Sequence, residues 1–148
     1  MPTTKASLVK PIAFGMLIAA LGTLAGLTLW RMQGDVAIGK RLVENHCAVC
    51  HDLTAGMKNQ RGPYLWGLLD RPAGAVPGFE YSKAFKERVA HEPFDWTEQN
   101  LDKFLANPAG LIPDVSMAQR KTPHQLAFDG IEVRGDRRDL ITYLKTLR

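Results

Sequence analysis

The 148-residue sequence predicts a mostly α-helical domain, its helices and loops wrapped around one large apolar group and preceded by a separate N-terminal helix. Three observations predict it. No stretch alternates apolar and polar residues as a half-buried strand does. Apolar residues recur at helical spacing in the first and last parts of the domain. Between them, Asp52 to Pro93 is so broken by Gly56, Gly62, Pro63, Gly67, Pro72, Gly74, Pro77 and Gly78 that it needs something to pack around.

The first element is the run from Pro11 to Trp30, PIAFGMLIAALGTLAGLTLW, 20 residues without a charge. A helix of that length spans a bilayer core of about 30 Å. Lys5 and Lys10 precede it and Arg31 follows, so the positive-inside rule makes residues 1–10 a basic cytoplasmic N-terminus and 11–30 a transmembrane anchor. Residues 31–33 are then a short linker and 34–148 the exported domain. The rival reading is a signal peptide cleaved near Thr23-Leu24-Ala25, although the run is longer than the usual h-region of roughly 7–15 residues. Both readings export the domain. They predict a bacterial inner-membrane protein facing the periplasm, or a soluble periplasmic one after cleavage.

Helix signals inside the domain begin at Asp35, a good N-cap, and continue through VAIGKRLVENHCAVCH, with Gly39 tolerated for the close approach of another element. The central loops show weak periodicity only around Ser82–Ala90. Asp95-Trp96-Thr97-Glu98 resembles a capping box, and Leu101, Phe104 and Leu105 then share a face. Asn107-Pro108 restarts the chain with a cap and a first-turn proline. The last helix is expected from Asp136, with Leu140, Ile141, Leu144 and Leu147 as its apolar stripe.

Charge excludes one class of function. Of 19 Lys/Arg, three flank the apolar run, leaving 16 against 15 Asp/Glu from Gly34 onward. A near-neutral domain is not a nucleic-acid binder. The two cysteines stand three apart, so a disulfide between them would constrain little.

Those cysteines carry the chemistry. Cys47-Ala48-Val49-Cys50-His51 has the C-x-x-C-H spacing of c-type haem attachment. Positions i, i+3 and i+4 share a helix face, so two thiols can bond one haem edge while the imidazole beside them reaches the iron. A thioredoxin-like redox pair would need a βαβ surround, and a zinc site would need a second cysteine pair. Neither is present. For a second axial ligand the candidates are downstream: Met117, in the irregular stretch LIPDVSM, is better placed than Met57, which is too near the attachment turn. A methionine taken alone is more often core filler.

These residues together resemble the class I cytochrome c family, in its mitochondrial cytochrome c and bacterial cytochrome c2 branch. The similarity runs from Gly34 to the C-terminus. Gly34-Asp35-Val36, Gly39-Lys40 and Gly62-Pro63-x-Leu65-x-Gly67 match it, as do Arg71, Gly74, Pro77-Gly78-Phe79 and Tyr81. Trp96, Leu101, Leu105, Asn107-Pro108, Ile112-Pro113, Met117, Phe128-Asp129-Gly130-Ile131 and Asp139-Leu140-Ile141-x-Tyr143-Leu144 continue the register. The resemblance implies the class I cytochrome c fold around one haem c, covalent at Cys47 and Cys50, with His51 and Met117 as axial ligands of the iron. It implies that Pro63 offers its carbonyl to the His51 ring N–H, that Arg71, Tyr81 and Trp96 support the inner propionate, and that Gly39 lets the first helix touch the last near Leu140 and Tyr143.

The departures are equally specific. Phe104 stands where the family usually has tyrosine, Val115 where it often has threonine, Asp114 for a glycine and Ser116 for a docking lysine. Nine extra residues, Ala118–Leu126, follow Met117, and His124 among them is a possible replacement ligand.

The function expected is one-electron transfer rather than enzymatic turnover, since His/Met ligation fills both axial sites and raises the potential. Expected partners are a quinol–cytochrome c reductase and a terminal oxidase or similar redox complex, met at a respiratory or photosynthetic membrane by a monomer. The alternatives are a permanent cytochrome subunit of an oxidase or dehydrogenase complex, and a ligand-binding or peroxidatic haem protein in which Met117 leaves the iron.

Overall fold

The computed structural model describes residues 33–115, 117 and 127–148. The expected anchor at 11–30, its signal-peptide alternative, and the insertion 118–126 with His124 lie outside the described residues. No helix among the described residues is long and apolar enough to cross a membrane.

Among the described residues five helices follow in order: α1 Val36–His46, α2 Lys83–His91, α3 Glu98–Ala106, the single turn α4 Pro108–Leu111, and α5 Arg134–Leu144. The described residues contain no strand, only an isolated antiparallel bridge between Pro72 and Asp95. The domain is therefore mostly α, as expected.

Capping fixes where the helices start. The Asp35 carboxylate accepts from the Ala37 and Ile38 N–H groups at 2.8 and 2.9 Å and sets the first residue of α1. Ser82 caps α2 through Phe85 N–H. Asn107 caps α4, whose first residue is Pro108, through Gly110 N–H. Two expected starts shift. The α3 cap is Thr97, bonded to Asn100 N–H at 3.2 Å, and not Asp95, whose carbonyl instead accepts from the Asn100 side chain. Helix α5 begins at Arg134, two residues before the expected Asp136, with Val133 as an N-cap that makes no side-chain bond.

The core is organised by the crossing of α1 on α5. Val43 and Leu140 are fully buried there, each worth about 1.5–3 kcal/mol against exposure. The crossing is close because Gly39 has no side chain. A methyl at that position would overlap the Asp139 carbonyl oxygen and come within 2.9 Å of Tyr143 Cβ. Asp139 also accepts from the Asp35 N–H at 3.0 Å, which ties the start of α1 to the same turn of α5. Helix α5 is held to α3 by buried Arg137. Its Nε donates to Asp102 at 2.7 Å, and its Nη1 donates to the Ile131 and Glu132 carbonyls at 2.9 and 2.8 Å. The expected stripe of Leu140, Ile141, Leu144 and Leu147 is buried throughout.

A chain of aromatic rings runs through the rest of the interior, among buried aliphatic residues such as Leu68, Leu101 and Leu105. Tyr81 stacks on Phe85 at 4.7 Å, Phe85 leans on Trp96, and Trp96 meets Phe94 and Phe104 edge-on, each at 5.1 Å. This chain joins the central loops to α3 where no sheet or long helix could.

Candidate functional site

Helix α1 stops at His46, five residues short of the end expected from the sequence. The attachment motif is therefore not on the helix proper. Cys47 is its C-cap, and the motif occupies the turns that follow. The helical spacing nevertheless survives locally. Cys50 N–H and His51 N–H both donate to the Cys47 carbonyl at 3.0 Å, one as a 3₁₀ bond and the other as an α bond. Cys47, Cys50 and His51 thus keep the i, i+3, i+4 relation on a single turn of their own.

Both cysteine side chains are half-buried. Burial, with the Cys50 thiol beside it, pushes the Cys47 thiol up to about 12. A thiol so far from ionising is poorly suited to start disulfide exchange, which needs thiolate.

The His51 ring is oriented. Its Nδ1 lies 2.6 Å from the Pro63 carbonyl, which can only accept, so Nδ1 carries the proton and Nε2 presents its lone pair. Burial holds the imidazole below its usual range, outweighing the opposite pull of the Pro63 bond, and so favours the neutral form that binds metal. Gly62 makes room for this ring: any Cβ there would collide with it, falling within 2.6–2.7 Å of Nδ1 and Nε2. Gly62 N–H donates to the Cys50 carbonyl at 2.8 Å, which closes the loop back onto the motif.

The intervening residues are pinned by Asp52. Its carboxylate accepts from Lys58 N–H at 2.8 Å, from Thr54 N–H at 3.0 Å and from the Thr54 hydroxyl at 2.9 Å. These donors, Lys58 N–H first, hold its carboxyl below the ordinary carboxylate range.

The three expected propionate partners come together. The Trp96 backbone N–H donates to the Arg71 carbonyl at 2.9 Å, and the Tyr81 ring reaches the Trp96 ring through Phe85. The Arg71 guanidinium is half-buried, donates to the Trp66 and Tyr64 carbonyls at 3.1 and 3.0 Å, and lies over the Tyr64 ring. Desolvation pulls its proton affinity down and the neighbouring tyrosines work against that pull, yet a guanidinium stays charged. Among the described residues no carboxylate forms an ion pair with it. The Tyr81 hydroxyl accepts from Val76 N–H at 3.3 Å, keeping its own proton to donate, and burial raises it above the usual phenol range.

Met117 belongs to a different segment. It is half-buried and packs on the core, and its carbonyl accepts from Phe128 N–H at 3.0 Å. That bond closes the base of the insertion. The segment before it is anchored by Ile112, fully buried, and Val115, 5% exposed. Asp114 sits at φ +56, the left-handed conformation in which the glycine common among relatives would be unstrained. Phe104, which stands for the usual tyrosine, is buried edge-on against Trp96.

The donor set fits a covalent haem. Two thiols lie on one turn with an oriented imidazole beside them, a glycine makes the space its ring needs, and a half-buried cation and a phenol are available for carboxylates. Two contributors escaped sequence reasoning. Tyr64 faces Arg71, and nothing in the local sequence marks it. The steric role of Gly62 could have been inferred from a Gly-Pro pair following the motif closely enough to fold back on it.

The comparisons agree. Residues 36–148 match the family model described as Cytochrome c. A cytochrome c of Euglena viridis is 38% identical over 115 residues, 78% of this chain and 99% of that protein. Cytochromes c of Arabidopsis thaliana and Cochliobolus lunatus are each 38% identical, over 77% and 76% of this chain and 90% and 93% of those proteins. The chain therefore belongs to the cytochrome c family: it carries a covalent haem c with iron and is an electron-transfer protein.

Proposed function

We propose that the chain is a one-electron shuttle whose haem is bonded to Cys47 and Cys50 and whose iron is ligated by His51 and Met117. The observation that carries this reading is the 2.6 Å bond from His51 Nδ1 to the Pro63 carbonyl, which presents Nε2 as a ligand and makes it a stronger donor. Bound haem supplies the ferric–ferrous couple. The protein's part is to hold both ligands through the change of charge, so that little rearranges with each electron. His51 is held by Pro63, Gly62 and the covalent anchors on either side. Met117 is offered as a soft, neutral thioether by a segment packed into the core, a ligand type that raises the potential. Arg71, Tyr81 and Trp96 would compensate the inner propionate in a half-buried setting, where an unpaired carboxylate is costly.

The N-terminal run at 11–30 would tether the domain to the bacterial inner membrane on its periplasmic side. Tethering raises its effective concentration beside a quinol–cytochrome c reductase and a terminal oxidase or similar acceptor. The monomeric domain from Gly34 has 16 basic against 15 acidic residues, which supports docking with little electrostatic steering.

A redox titration of the purified full chain tests the couple: one reversible one-electron wave is expected, and an irreversible or ligand-sensitive response would contradict it. Oxidation by oxidase-containing membranes should vary little with ionic strength. A steep fall between low and physiological salt would show that a charged docking face dominates. Intact mass would show one covalent haem, and a value for the full chain supports the anchor whereas loss of residues 1–25 supports cleavage.

A further inference from the structure

Arg88 is a long way in sequence from any ligand, yet its guanidinium ends on the segment that carries Met117. From the C-terminal half of α2, its Nε donates to the Leu111 carbonyl at 3.2 Å, across 23 residues. Its Nη1 donates to the Glu92 carbonyl at 2.7 Å, its Nη2 pairs with the Glu92 carboxylate at 3.0 Å, and its Cζ lies 5.5 Å from the centre of the Phe94 ring. The side chain is only 21% exposed. All three guanidinium nitrogens and the face of the group are thus engaged, which fixes where the Leu111 carbonyl must sit. Leu111 is the last residue of α4, and a carbonyl at a helix end has no partner inside its helix. Immediately beyond it the chain turns through Ile112, Pro113 and left-handed Asp114 to Val115 and Met117.

We propose that Arg88 is a positioning residue for Met117: by capping the end of α4 it sets the start of the turn that presents the thioether, and so keeps the methionine on the iron. This rests on the reading of Met117 as the axial ligand. Other groups act on the same segment, namely buried Val115, the Phe128 N–H bond to the Met117 carbonyl, and buried Ile112, whose N–H closes the α4 end on the Pro108 carbonyl, but among the described residues none of them bonds the Leu111 carbonyl. Arg88 is also the only side chain shown to bond that carbonyl among the described residues.

The consequence is a population shift. Loss of a charge-assisted bond at a site of partial exposure should raise the fraction of molecules with Met117 off the iron by about tenfold. An external ligand competing for the vacated position reads that fraction directly, because its apparent Kd falls as the competent state becomes more populated. Imidazole binding to the ferric full-length holoprotein, followed by absorbance, is the probe. Arg88→Ala is expected to tighten imidazole about tenfold. Arg88→Lys, which keeps the charge but loses the fork, should fall between wild type and Ala. The same two substitutions made in Met117→Ala protein should leave the imidazole Kd unchanged, since no methionine remains to be displaced.

That double cycle separates a positioning role from general stability. If Arg88→Ala tightens imidazole equally in both backgrounds, or in neither, Arg88 does not act through Met117. Should Arg88→Ala fail to load haem, Arg88→Lys carries the same comparison. If Met117→Ala alone fails to tighten imidazole, Met117 is not the ligand, and the reading beneath the proposal falls with it.

Discussion

Two segments offer the expected axial ligands, and they are built on opposite principles. The Cys47–Pro63 loop holds His51 by short-range contacts that converge on one ring: the Pro63 carbonyl on Nδ1, Gly62 against the ring, and Asp52 gathering the backbone of Thr54 and Lys58. The Leu111–Phe128 segment holds Met117 from a distance. Its described supports are two buried apolar anchors, one backbone bond to Phe128 and the remote cap from Arg88. The first arrangement is over-determined and tolerates no change at the ring. The second fixes the chain on either side of the ligand and leaves the side chain itself replaceable. The extra residues 118–126 fall within the second segment, and the described residues on either side of them are joined by the bond between Met117 and Phe128.

The sharpest way to break this comparison is to crowd His51. Gly62→Val places a branched side chain against the imidazole, and the ring can move only by giving up Pro63. Overpacking of this kind costs about 3 kcal/mol, and holoprotein yield should collapse with it. Denaturant midpoints and haem content would show it, and a stable, fully loaded variant would mean that the ring is not held as described.

Next in size is a change remote from both ligands. Arg137→Met leaves the Ile131 and Glu132 carbonyls and Asp102 without their partner. Removing one member of a buried pair costs up to about 3–5 kcal/mol, but Asp102 is 36% exposed and screened by water, so about 2 kcal/mol is expected. Stability should fall while the haem spectrum of the folded protein stays unchanged. A spectral change would show that α5 couples to the ligands.

Met117→Ala should reverse that pattern. A half-buried methionine contributes less than the 2–5 kcal/mol of a fully buried one, so about 1–2 kcal/mol is lost on denaturation. The redox potential, however, should drop markedly as the thioether is replaced by water or another ligand. A large stability loss with an unchanged potential would make Met117 core filler.

The smallest effect is expected at Met57, which is exposed and sits at φ +47 in the proximal loop. Met57→Gly relieves left-handed strain of about 1–2 kcal/mol and raises the entropy of the unfolded chain, leaving a net gain of about 0.5 kcal/mol. A loss would show that the Met57 side chain has an unrecognised contact in that loop.

What could be read from the sequence and what could not divide along the same line. The motif at Cys47, the caps Asp35 and Asn107, the stripe ending at Leu147 and the reason for Gly39 were legible because each is a local pattern or a simple steric demand. The end of α1 at His46 was not, because the motif keeps helical spacing on a separate turn, and periodicity alone does not distinguish a helix from a turn that continues its register. The α3 cap was misplaced by two residues because Asp95 and Thr97 are both good caps, and the Pro72–Asp95 bridge decides between them. Arg88 and Arg137 were illegible for a plainer reason: each serves a carbonyl brought near only by the fold, and a charged residue on a helix reads by default as solvated surface, while Tyr64 lies in a loop and offers Arg71 its carbonyl and ring only once that loop has folded.

The central claim is that Met117 closes the second axial position of the iron, and the ferric absorption spectrum tests it most directly. A sulfur-to-iron charge-transfer band should be present in the wild-type protein at neutral pH and vanish in Met117→Ala. A wild-type spectrum without that band, or a band that persists after the substitution, would contradict the claim.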